Sequence, residues 1–245
     1  MNWSHVSSKN STLEGFKFAG ITAGLKDSRK KDLALILAPQ NSICTGLFTQ
    51  SVVRASCIDI CEKRIQKTSG LIRAILINSG HANACTGEGG KKDVILTLKN
   101  LSDLLDIEEE KILMCSTGVI GVPIPMNKLL QNLPNLVKKL DEKNFNEASE
   151  AILTTDLVTK RIAIQTNING KPVKISGFAK GSGMIYPNMA TMLAFLFCDV
   201  SIDKSNWDIL VKQAVDCSFN AISVDGETST NDSFMAINGG DKLDI

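Results

Sequence analysis

Four times along this chain a short apolar run meets a stretch of glycine and small polar residues that is too poor in apolar groups to be an ordinary helix or strand. The clearest case is IRAILIN, from Ile72 to Asn78, which empties into SGHANACTGEGG. A second such stretch is CSTGVIGVPIP, starting at Cys115. A third, KGSGMIYPNMA, starting at Lys180, leads into TMLAFLFCDV, and a fourth, ISVDGETSTND, starting at Ile222, leads into SFMAI. Apolar runs of about four to eight residues bounded in this way read as buried strands. Polar loops are thereby collected at strand ends, where a rigid scaffold can aim reactive groups.

The remaining segments fill in layers around those strands. Leu33 to Pro39 and Ile43 to Thr49 read as strands, and the spacing of Cys57, Ile58, Cys61 and Ile65 predicts a helix. Two further helices follow from Val94, Ile95, Leu98, Leu101, Leu104 and Leu105, and from Leu129, Leu130, Leu133, Leu136, Val137 and Leu140. NFNEASEAILTTD adds a helix ending near Thr154. Ile162 to Gln165, the pair Asn169-Gly170 and Val173 to Ile175 spell a hairpin with a type I′ turn, and a last helix covers 205–220. Hairpins mixed with helices argue for α+β layers over a doubly wound sheet. There is no internal repeat, low-complexity tract or sharp domain boundary.

Composition excludes several classes of function. In 245 residues, Lys plus Arg is 27 and Asp plus Glu is 26, a formal charge of +1 that leaves no electrostatic footprint for nucleic acid or an anionic membrane. A hydrophobic fraction of 43% with 22% charged residues is that of a folded chain. The longest apolar run, Met192 to Cys198, falls far short of the ~20 residues a membrane helix needs. MNWSHVSSKNSTLEGF lacks the apolar core of a secretion signal, so a cytosolic location is expected. Seven cysteines, an odd number set mostly in apolar segments, fit reduced core thiols. Cys57 and Cys61 have the spacing of a metal half-site, but with only His5 and His81 as imidazoles no metal is expected.

Each polar loop has a chemical and a plain reading. KGSG at Lys180 to Gly183 resembles a phosphate cradle, yet its Lys precedes the glycines and a strand follows, unlike a P-loop. Thr191 stands at the mouth of an apolar strand, where it is either strand filling or a nucleophile. A hydroxyl attacks only with a base and a site for developing negative charge. Thr117 and Gly118 supply a hydroxyl and an N–H that no Cβ shields, an oxyanion hole or a simple turn. Were Thr191 a chain terminus, its own α-amino group, pKa ~7.7–8.0, would serve as base near neutrality. Lys180 would then bind a substrate carboxylate or keep that amine neutral by repulsion, unless it is a surface lysine.

Six motifs in order extend this reading: GFKFAGITAGLK (Gly15 to Lys26), INSGHANACTG (Ile77 to Gly87), CSTGVIG (Cys115 to Gly121), TTD (Thr154 to Asp156), KGSGMIYPNMATML (Lys180 to Leu193) and SVDGETSTND (Ser223 to Asp232). Together they resemble the ornithine acetyltransferase family, also called the bifunctional glutamate N-acetyltransferase family of arginine biosynthesis. The resemblance implies a layered α/β/β/α sandwich akin to N-terminal-nucleophile folds. It implies self-cleavage between Ala190 and Thr191, dividing the chain into an α portion, 1–190, and the start of a β portion, 191–245.

Carried over residue by residue, the resemblance makes Thr191 the nucleophile, Thr117 and Gly118 the oxyanion pair, and Thr154 and Lys180 substrate contacts, with Thr155 the rival of Thr154. The implied reaction is ping-pong transfer from N-acetylornithine to glutamate through an acetyl-threonine ester. No cofactor is implied, although many members also take acetyl-CoA as donor, and the implied assembly is two α and two β pieces. His81 stands where the family usually has Asn, so it either tunes pH dependence or is a loop residue with its hydrogen bonds satisfied. The family also draws a glutamate and C-terminal polar ligands from a region beyond Ile245. Two other readings follow: an N-terminal-nucleophile amidase or aminopeptidase that delivers acyl groups to water, and a truncated chain without activity.

Overall fold

The structure, a computed structural model, describes residues 2–6, 13–184 and 192–239. Its elements are β1 (Ser4–His5), β2 (Lys17–Ile21), β3 (Leu33–Leu37), β4 (Ile43–Phe48), α1 (Ser56–Lys67), β5 (Ala74–His81), α2 (Gly87–Leu105) and β6 (Ile112–Val119). They continue with α3 (Met126–Lys138), α4 (Phe145–Ala151), β7 (Lys160–Ile168), β8 (Lys171–Lys180), β9 (Leu193–Cys198), α5 (Lys204–Asp216) and β10 (Ser233–Asn238).

The apolar runs are continuous because these strands bury both faces. Along β9, Leu193, Phe195 and Phe197 point one way and Ala194 and Cys198 the other, into a separate cluster with Trp207, Val211 and Val215 of α5. In β5, Ile75 and Ile77 face the first cluster while Ala74 and Leu76 face α2 and α3. The strands form a six-stranded sheet, β1-β7-β8-β9-β10-β4, and a four-stranded sheet, β2-β3-β5-β6. Three helices, the two sheets and α5 thus stack as α/β/β/α, the α+β sandwich that the resemblance implies.

Between the sheets lies a phenylalanine core. The Phe18 ring sits 5.2 Å from Phe145 and 5.1 Å from Phe197 in edge-on contacts, and Phe178 lies 5.5 Å from Phe195. Such pairs add about 0.5–1.5 kcal/mol each beyond their area burial.

Several boundaries differ from the sequence reading. CSTGV, read as a loop, is the second half of β6, because parallel pairing with β5 supplies backbone partners along Cys115 to Gly118. β5 itself runs on to His81. α2 begins at Gly87, inside the supposed loop, and α4 stops at Ala151, which leaves Thr154 and Thr155 in the segment that follows. The hairpin is as expected, with both central residues at positive φ: Asn169 at 51° and Gly170 at 79°.

Register brings the polar loops to one end of the sandwich. In the four-stranded sheet Ser79 pairs with Thr117 and Gly80 with Gly118, followed by a bulge at His81. In the six-stranded sheet Lys180, Leu193 and Ser233 lie in one row. The portions 1–190 and 191–245 share this sheet, since β9 and β10 sit between β8 and β4.

Candidate active site

Lys180 ends β8 in one sheet and Thr117 lies near the end of β6 in the other, yet Lys180 Nζ donates to Thr117 Oγ1 at 3.0 Å. Both side chains are enclosed, Lys180 being 4% and Thr117 6% exposed. An ammonium in such a place needs anions nearby. Burial pushes the Lys180 pKa down, Asp156 and Asp232 oppose this, and Lys160 reinforces it. Asp156 in turn accepts the Gly181 N–H at 2.8 Å and an ion-pair hydrogen bond from Lys160. Burial opposes its ionisation, but those two donors and the lysine charges outweigh it and hold the carboxyl below its usual range. The Gly181 N–H is therefore spent on a carboxylate, and the Met184 N–H on Asp225, which leaves KGSG unlike a phosphate cradle.

Gly118 is at φ +132°, and a Cβ there would lie 2.2 Å from the Gly80 carbonyl carbon. Only glycine permits this approach of the two strand ends, and it leaves the Gly118 backbone exposed beside the enclosed Thr117 hydroxyl. A cleft of about 910 Å³ opens there, with Thr117, Gly118, Thr154, Lys180, His81 and Lys26 in its wall.

The structure separates Thr154 from its neighbour. Thr155 Oγ1 is 2.8 Å from Ser182 Oγ, so that hydroxyl is engaged. Thr154, half-buried in the cleft wall, forms no side-chain hydrogen bond among the described residues and has its hydroxyl available for a ligand. Ala190 and Thr191 lie outside the described residues.

His81 is not the satisfied loop residue of the plain reading. It closes β5 at the bulge, faces the cleft, and its buried Nδ1 has no hydrogen-bond partner among the described residues. Burial lowers its pKa, against the pull of Asp27 and Asp32 and with the push of Lys128. Cys57 and Cys61 are buried one turn apart in α1, and burial raises their thiols to about 11 and above the usual range respectively, as expected for inert core cysteines.

Three residues that sequence reasoning did not single out shape the site. Asn231 donates through its amide to Ala82 O at 2.6 Å and to Ser116 O at 2.9 Å, fastening the ends of β5 and β6 together. Asp32, fully buried, accepts the N–H groups of Ala23 and Leu25 at 2.6 Å and of Lys26 at 3.0 Å, shaping one lip of the cleft. Lys26, its pKa lowered by burial, reaches Leu153 O at 2.9 Å. The polar stretches STND and AGLKD were the visible signal, but their partners are remote in sequence.

Residues 17–244 match the profile of the ArgJ family. The arginine biosynthesis bifunctional protein ArgJ of Prochlorococcus marinus subsp. pastoris is 69% identical over 94% of this chain and 58% of its own length. The chain thus spans under two thirds of that relative. The solved ornithine acetyltransferase of Mycobacterium tuberculosis, complexed with ornithine, superposes with a TM-score of 0.69 at 32% identity, covering 78% of this chain and 100% of that one. An aminopeptidase and esterase/amidase from Ochrobactrum anthropi, described as a variant of the Ntn hydrolase fold, gives a TM-score of 0.58 over 97% of this chain and 76% of its own. At 9% identity it shares the fold alone.

Proposed function

The chain belongs to the ArgJ family, and from that premise we propose that it is an acetyltransferase of arginine biosynthesis. In this reading it accepts the acetyl group of N-acetylornithine on the Thr191 hydroxyl and passes it to glutamate. The observation that carries the reading is the Lys180–Thr117 hydrogen bond, which brings two motif-bearing strand ends from different sheets to the rim of one cleft.

That bond also fixes the polarity of the site. A charged lysine only donates, so Thr117 Oγ1 is the acceptor and its own hydrogen is free to point at an oxyanion. Gly118, next in the chain, is the second donor in this reading. Lys180 keeps further N–H groups for a substrate carboxylate, and Thr154 offers an unengaged hydroxyl in the wall of the same cleft.

Cleavage of the Ala190–Thr191 bond frees the α-amino group of Thr191, which at pKa ~7.7–8.0 takes the hydroxyl proton as Oγ attacks the acetyl carbon. Collapse of the tetrahedral intermediate breaks the bond to ornithine nitrogen, and the proton passes to the leaving amine. Glutamate's amine then attacks the threonyl ester and restores the hydroxyl. Acetyl-CoA is a second donor in this proposal, and the working assembly contains two α and two β pieces.

Intact mass after incubation with N-acetylornithine tests the chemistry. The expected result is one acetyl group on the piece 191–245, discharged as N-acetylglutamate when glutamate is added. Discharge as acetate in the presence of glutamate would establish the amidase reading instead, and a chain that is never cut or acetylated would refute both.

A further inference from the structure

The segment Ser229 to Ser233 holds more of the site than the strand ends. Thr49, just past β4, bolts it down: its Oγ1 donates to Ser229 O at 2.6 Å and its N–H to Asp232 O at 3.0 Å. From this anchored position the fully buried Asp232 reaches Met192, the first described residue of the β portion, and its Oδ1 accepts the Met192 N–H at 2.7 Å. Met192 O accepts the Ser233 N–H at 2.9 Å, so both backbone polar groups of Met192 are held by two consecutive residues. The Met192 nitrogen belongs to the peptide unit formed with Thr191. That unit survives cleavage before Thr191, so the bond can act before and after processing.

Charge gives Asp232 a second task. Lys180 is surrounded by Asp156 and Asp232 as anions and by Lys160 as a cation, with Lys26 also within electrostatic reach. Asp156 is engaged by Lys160 and the Gly181 N–H, and Asp232, the last residue of the polar loop before β10, by the Met192 N–H. A neutral amide at 232 would still accept from Met192 but would leave the enclosed ammonium with less compensation.

We propose that Asp232 is a positioning residue of the acyl-transfer site, whose carboxylate holds the N–H of Met192, the residue after Thr191, and acts as fixed counter-charge to Lys180. One side chain thereby places the nucleophile's strand and the cation of the oxyanion corner in a common frame. The assignment rests on the reading of Thr191 as nucleophile, but the Met192 hydrogen bond and the electrostatic effect on Lys180 can be measured without turnover.

The two tasks separate in two variants, Asp232→Asn and Asp232→Ala. Amide hydrogen exchange by NMR on the whole chain should show Met192 protected in the wild type and about tenfold or more faster in Asp232→Ala, with Ala194 in β9 unchanged as the control for folding. Asp232→Asn should keep Met192 protected to within a few-fold. Direct titration of Lys180 Nζ by NMR should give a lower pKa in Asp232→Asn than in the wild type. Where acetyl transfer is measurable, the alkaline limb of its pH profile should move down with it. Exposure of Met192 in the wild type, equal exchange in Asp232→Ala, or an unmoved Lys180 titration would overturn the proposal. Should Asp232→Ala not fold, wild-type protection and the Asp232→Asn titration decide. A wild type that passes these tests yet never acetylates Thr191 would remove the transferase reading and leave both roles of Asp232 standing.

Discussion

In the proposed reaction Thr117 meets two demands at once, because its oxygen serves the buried Lys180 ammonium while its hydrogen would serve the oxyanion. Thr117→Val should remove both. Leaving the ammonium one acceptor short should cost about 1–3 kcal/mol in urea unfolding, and loss of an oxyanion donor should slow transfer by about 10²–10³. Thr117→Ser, which restores the hydroxyl, should recover most of each, and recovery of stability without activity would show that the hydroxyl serves Lys180 alone. His81 gives a pH signature. Burial depresses its folded pKa below the unfolded value of about 6.5. The unfolded chain therefore binds more protons between those two values, and stability falls as pH drops through that window. The urea midpoint should decline from about pH 7.5 to 5.5, and His81→Asn should flatten that decline. Of these residues, Thr117, Gly118 and Lys180 stood out in the sequence because each lies in a stretch too polar and too small-sided for its apolar neighbours, and Thr154 only through the family resemblance. The roles of Asn231 and Asp232 did not, since what they hold, Ala82, Ser116 and Met192, is distant in the chain.

At the level of elements, the ends of β5 and β6 are the part most sensitive to added volume. Gly118→Ala faces both a positive φ and a Cβ 2.2 Å from Gly80, and it should cost about 2–5 kcal/mol while prising the strand ends apart. Gly121→Ala has a positive φ of 81° but open space around it, and it should cost only about 1–2 kcal/mol. Equal losses in urea unfolding would mean that backbone strain, not the strand contact, makes Gly118 necessary. The same strand ends explain a misread boundary. CSTGV has the composition of a loop, and only pairing with β5 makes it a strand, a tertiary preference that outweighs local propensity. α2 shows the equivalent for helices. GEGG is poor helix sequence, but burial of Val94, Leu98 and Leu101 against the four-stranded sheet stabilises the helix back to Gly87. β3, β5 and β9 were legible because burial on two faces demands unbroken apolar sequence.

For the whole molecule, the decisive feature is that the two portions on either side of Ala190–Thr191 share one sheet and one core. Which strands become neighbours was not legible, because nothing local in β4 marks β10 as its antiparallel partner across the intervening chain. That pairing has a consequence for processing. β9 and β10 lie between β8 and β4, and Phe195 and Phe197 enter an aromatic cluster with Phe18, Phe145 and Phe178 of the first portion. A cut before Thr191 breaks one covalent bond but removes none of the described ladder bonds or ring contacts. The pieces 1–190 and 191–245 should therefore elute together in size-exclusion chromatography and part only in denaturant. Phe197→Ala should destabilise by about 3–5 kcal/mol and release the smaller piece at a lower urea concentration. Separation of the pieces in native buffer would mean that the shared sheet does not hold them, and that the covalent bond before Thr191 does.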